Sequence, residues 1–177
     1  MSKCNNFGCD EEFEVYTEND CGDIVLGGID YVILLECNHT ITDPSNASQI
    51  NANIASGKAV KVTNAKLSIP EASPIKVDVD VPCVPQRVVN YNRTATYRNG
   101  NVSAANITFH NNLFPGRKLG GAILHQCAAD KVTWIDEVIS ITGSRTIPDN
   151  NNATQAFVAT FEWLSLYDSM DYNAPAL

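Results

Sequence analysis

The reading of the fold turns on Val132-Thr-Trp-Ile-Asp-Glu-Val-Ile-Ser-Ile-Thr142 and, beyond a polar turn region, Ala153-Thr-Gln-Ala-Phe-Val-Ala-Thr-Phe-Glu-Trp-Leu164. Both runs are dense in β-branched and aromatic residues, which suit a pleated, half-buried surface. In the second run the two-residue side-chain period puts Phe157, Phe161 and Trp163 on one face. In the first, the apolar parity changes from Trp134 to Ile139 and Ile141, which predicts a β-bulge near Asp136-Glu137. Gly143-Ser144 and the Pro148 to Asn152 stretch carry turn chemistry. The pair therefore reads as a large antiparallel unit whose aromatic face is core.

Working upstream, Ile29-Asp-Tyr-Val-Ile-Leu-Leu-Glu36 is apolar on both parities. A strand of that kind must be covered on both faces. The sheet core supplies one cover, and the second is expected from a helix that follows directly. Asp43 before Pro44 reads as an N-cap and first-turn pair, Ile50 and Ile54 recur at i, i+4, and Gly57 closes the run. Ala47, Ile50 and Ile54 are expected to face inward. From Lys58 the pattern is β again, with Val60 and Val62 on one parity, Ala65, Leu67 and Ile69 on the other, and a second bulge expected near Thr63-Asn64.

Prolines at 70, 74, 82 and 85 bracket a clean alternation of Ile75, Val77, Val79 and Val81, with Asp78 and Asp80 opposite. Proline at both ends confines such a strand to a sheet edge or a projecting loop. Val89 to Tyr97 followed by Asn99-Gly100 reads as a hairpin, with a return strand from Val102 to Phe109. The fold class expected is mainly β: an antiparallel β-sandwich or barrel with one short flanking helix over about residues 44–56. The chain divides into an acidic N-terminal arm (1–22), a single β-rich domain (23–166) and a C-terminal tail (167–177).

At 177 residues with a net charge of −8, the chain is large enough for a real core without staples. The acids Asp10, Glu11, Glu12, Glu14, Glu18, Asp20 and Asp23 all precede Ile24, with only Lys3 opposing them. This argues against a grip on nucleic acid, which needs clustered cations. The start has neither a basic n-region nor an apolar h-region, so manufacture in a cytosol without a cleaved signal is expected. The six cysteines are then expected to be reduced, buried thiols.

No nucleophile elbow, phosphate-binding glycine loop or histidine in a catalytic context stands in the chain, and neither enzyme activity nor a cofactor is expected. The one metal candidate is Cys37, His39, His125 and Cys127: each Cys and His two apart would share a strand face, and neighbouring strands would complete a tetrahedral set. The spacing is not that of usual zinc motifs, and the site is expected to be empty. Tyr31, Tyr91 and Tyr97 are the candidates for an exposed aromatic platform, although their apolar neighbours favour core or interface.

The cysteine-containing polar start, Gly27-Gly28-Ile29 opening an apolar strand, one capped helix, a run of hairpins and the closing hairpin around Ile147-Pro148-Asp149-Asn150-Asn151-Asn152 resemble virion structural proteins of tailed bacteriophages, most of all tail-tube-like subunits. The resemblance implies a non-enzymatic subunit that assembles with itself into a stacked, hexameric ring or tube. It also implies assembly in a host cytoplasm, contact with other virion proteins, DNA only in transit, and no membrane. Phe13 and Val15 in the arm, with Ile75, Val77, Val79 and Val81, would form the assembly interface. Capsid decoration or head-tail connection is the rival role within virions, and a receptor- or carbohydrate-binding β-sandwich is the alternative of another class.

Overall fold

The computed structural model describes residues 29–63, 65–77, 86–126, 131–149 and 154–177. In chain order these form β1 (Ile29–Glu36), α1 (Ala47–Ala55), β2 (Ala59–Thr63), β3 (Ala65–Ser68), β4 (Ser73–Val77), β5 (Arg87–Asn99), α2 (Ala104–Leu113), β6 (Pro115–Gln126), β7 (Lys131–Ile135), β8 (Ile139–Thr146), β9 (Ala156–Leu164) and β10 (Met170–Asn173). The protein is mainly β, as expected, and every strand pair is antiparallel.

The ladders follow a ring. β1 lies between β2 and β6, β6 pairs with β8, β8 with β9, β9 with β5, and β5 with β3. Only Asn64 separates β2 from β3 in the chain, so the curled sheet returns to its own start. Val60 and Val62 before this point and Ala65 and Leu67 after it all contribute to the ring interior, so the apolar parity does switch there. Asn64, where the bulge was expected, lies outside the described residues.

β1 divides two cores, as its two-faced apolar pattern requires. Val32 and Leu34 point into the ring with Tyr97, Ile139, Ile141, Phe157, Phe161 and Trp163. Tyr31, Ile33 and Leu35 point outward and pack with Ile123, Val132 and Trp134 under Ile41, Ile50 and Ile54. Fully burying a side chain of this size stabilises by about 1.5–3 kcal/mol, so the second layer is a substantial part of the fold. α1 is thus the outer cover predicted for β1. It is shorter than the 44–56 expected, because Asn46 and not Asp43 is the N-cap: its side chain accepts from the Gln49 amide at 3.1 Å. Asp43 instead closes a turn by accepting from the Ser45 hydroxyl and amide, and these bonds hold its carboxyl below the usual range.

The expectation of a single helix is corrected by α2. The segment expected as a return strand caps itself with Ser103, whose hydroxyl accepts from the Asn106 amide. The Asn99 side chain accepts from the Asn101 amide and donates to the Thr63 carbonyl, which turns the chain away from hairpin geometry. Asn106, Phe109, His110 and Leu113, a helical i, i+3, i+4, i+7 set, are all buried. With Phe114, the apolar members pack into the ring interior where β5 stops and β9 begins.

The opening stretch also differs in detail. Residues 136–138 break it into β7 and β8, and no bulged single strand forms. β8 pairs with β9, which makes the expected aromatic face, but β7 pairs with β6 and β10, so Trp134 belongs to the outer core. The segment expected as a tail supplies β10, and Tyr172 and Ala174 pack on that same core. Where β6 passes β1, Gly120 has no room for a side chain: a Cβ would stand 2.6 Å from the Glu36 carbonyl oxygen and 2.5 Å from that of His39.

Candidate functional site

β5 is the longest strand among the described residues, and only part of it belongs to the ring. Residues Asn92–Asn99 pair with β9, whereas the stretch from Arg87 to Asn92 pairs with β4. β4 and the first turns of β5 therefore form a two-stranded ribbon that runs past the end of β9. Ile75 opposes Asn90 and Lys76 opposes Val88, so β5 carries an extra residue at Val89, a bulge of the kind common at sheet edges. All of β4 is exposed, and Ile75, Val77 and Val89 keep 36%, 49% and 45% of their surface in water. Proline placement predicted a strand over Ile75–Val81 at an edge or in a projecting loop; Ile75 and Val77 do lie on β4, which pairs with β5, while residues 78–85 lie outside the described residues.

Around the ribbon base two clefts open. One, of about 510 Å³, is lined by Ile75, Asn92, Lys118, Glu162 and Leu164 among others. Lys118, Ser140 and Glu162 stand in one row across β6, β8 and β9. The other, of about 580 Å³, lies between Ile69–Ala72, the Tyr91 and Arg93 side of β5, and Leu166–Asp168. Arg93 is mostly buried, ion-pairs with Asp168 at 2.5 Å, and lies 5.7 Å from the centre of the Tyr91 ring. The Ser165 amide donates to the Tyr91 carbonyl and its hydroxyl to the Tyr167 carbonyl, which pins the far wall. Tyr167, Leu166 and Ile69 are exposed. Of the aromatic platform candidates, Tyr31 and Tyr97 are core, and only Tyr91 reaches a cleft. Tyr167 was missed because it sits in a polar segment without periodicity.

Of the expected interface residues, Ile75 and Val77 are on the ribbon, while Phe13, Val15, Val79 and Val81 lie outside the described residues. The metal candidates are not brought together. β1 and β6 are indeed neighbours, but their antiparallel register sets Glu36 against Leu119 and Ile29 against Gln126. The Cys37 and His39 end is thereby separated from His125 by six residues of strand, roughly 20 Å. Cys37 and His39 are not on a strand either, since Asn38 between them takes a left-handed φ of 72°. His39 approaches Glu36 at 3.8 Å, and His125 stacks on Tyr31 at 4.4 Å. Cys127 lies outside the described residues. Cys37 is disulfide-bonded, which corrects the expectation of reduced thiols, and it is buried against Val138. The other five cysteines lie outside the described residues.

Among the described residues, the most perturbed titratable group is a histidine with no recognisable catalytic context in the sequence. His110 is fully buried, and desolvation lowers its pKa to about 4. Its neutral ring has a defined tautomer: Nδ1–H donates to the Asn106 carbonyl at 2.7 Å, and Nε2 accepts from the Tyr97 hydroxyl at 2.8 Å. It stacks on Phe157 at 3.9 Å. Buried and hydrogen-bonded at both ring nitrogens, this histidine holds α2 in the ring. Glu36, also buried, faces Lys58 at 3.3 Å as a structural ion pair. Among the described residues no three metal-ligating side chains converge, and no helix is long and apolar enough to cross a membrane. In comparison with known proteins, the chain matches no family model, no curated protein and no solved structure.

Proposed function

We propose that this protein is a structural subunit of a phage virion that assembles with itself into rings or a tail-tube-like conduit for DNA. The observation that supports the reading is the ribbon of β4 and β5 with its exposed apolar residues. Ile75, Val77 and Val89 lie on the ribbon, and Leu164 at its base lines the same cleft as Ile75. Exposed apolar side chains grouped along a projecting edge suit a contact surface. Each such side chain contributes about 1.5–3 kcal/mol on burial, against an association cost of roughly 4–15 kcal/mol. Several together therefore suffice only when repeated, as ring closure repeats them. The net charge of −8 is suited to a wall that must not hold a polyanion. A capsid decoration or head-tail connector would use the same surface with a different symmetry.

Electron microscopy and light scattering on the full chain test this. Rings or tubes are expected from the wild type, and Val77→Asp with Val79→Asp should leave folded monomers. A wild type that stays monomeric at high concentration removes the proposal. A double variant that does not fold would place this strand in the subunit's own core.

A further inference from the structure

We propose that the cleft between Ile69–Ala72, Tyr91, Arg93 and Leu166–Asp168 binds a neutral saccharide. The volume, about 580 Å³, is that of a small-molecule site. Its walls are set before any ligand arrives: Arg93 is clamped between Tyr91 and Asp168, and Ser165 ties the 165–168 segment to β5 and to itself. Preset walls reduce the ordering cost that weak ligands cannot meet.

The ligand class follows from the lining. Glu71 and Asp168 outnumber Arg93, so the cleft is net negative and repels phosphates and carboxylates. A wholly apolar ligand would strip water from these three charges without replacing its hydrogen bonds, at a cost of several kcal/mol. A cation gains little at Tyr91, whose ring already has the Arg93 guanidinium beside it. A sugar satisfies all the groups together. Its hydroxyls both donate and accept, matching a carboxylate next to a guanidinium and the tyrosine phenols, and its C–H face packs on a ring such as that of Tyr167, which is 76% exposed. The inference uses only this cleft and does not rest on self-assembly.

The test is a titration of the full-length protein with a panel of neutral mono- and disaccharides, up to 50 mM, followed by saturation-transfer NMR and calorimetry. At least one member should bind at one site per chain. Tyr167→Ala, at an exposed position, should weaken that binding tenfold or more while thermal unfolding stays unchanged, and Asp168→Asn, which also releases the Arg93 clamp, should weaken it as much. Sialylated or phosphorylated sugars should bind more weakly than their neutral parents. No binding across the panel, binding that survives both variants, or a preference for the anionic sugars would each overturn the assignment.

Discussion

Lowering the pH should unfold this protein in large part through His110. In the native state the ring is buried and neutral, with a pKa of about 4, against an ordinary value of 6.5 for the exposed side chain of the unfolded chain. Between those two values the unfolded chain binds a proton that the native state refuses, so stability falls as pH falls. At about 1.36 kcal/mol per pH unit, the loss amounts to about 1 kcal/mol at pH 5.5 and to between about 2 and 3 kcal/mol at pH 4.5. It levels off at about 3 kcal/mol below pH 4. For a domain stabilised by about 5–15 kcal/mol in total, that is a large share. The assay is urea unfolding followed by the fluorescence of Trp134 and Trp163, at four pH values from 7.5 to 4.5. His110→Gln is the comparison: it is expected to be less stable at pH 7.5, because the stack on Phe157 is lost, but to show a shallower pH profile. Carboxylates titrate in both proteins, so the difference between the two profiles isolates the histidine. Parallel profiles would refute the reasoning, since they would mean that the imidazole is solvated or charged in the native state.

Gly120→Ala should destabilise by about 1–3 kcal/mol, because the new methyl meets the carbonyl oxygens of Glu36 and His39, which are backbone and cannot step aside; thermal unfolding against wild type measures it. Cys37 should resist alkylation in urea without reductant and react once reductant is added, since it is disulfide-bonded. Reduction should then lower stability by about 2–5 kcal/mol, and peptide mapping that finds Cys37 alkylated before reduction would contradict the bond.

Local pattern carried the elements whose partners are dictated by their own faces. β1 is apolar on both parities, so two covers were required, and the ring interior and α1 supply them. Phe157, Phe161 and Trp163 alternate and do share the core, and the first half of the proline-bracketed stretch, Ile75 to Val77, does lie on a strand that pairs with β5 alone among the described residues. What local pattern concealed was α2. Two of its four buried positions are Asn106 and His110, polar residues whose burial becomes tolerable only when the Tyr97 hydroxyl and the helix backbone satisfy the imidazole. The break at residues 136–138 looked like a bulge because both alternatives change parity, and only the choice of neighbours, β10 and β6 for β7 but β9 for β8, separates them. The Cys and His pairs were legible as residues but not as a set. Spacing along a strand says which side chains share a face, whereas the antiparallel register that sends these pairs to opposite ends is a long-range fact. The sugar cleft is of the same kind: Arg93 and Asp168 are 75 residues apart in the chain, and the pairing of β5 with β9 brings Tyr91, Arg93, Tyr167 and Asp168 to one wall.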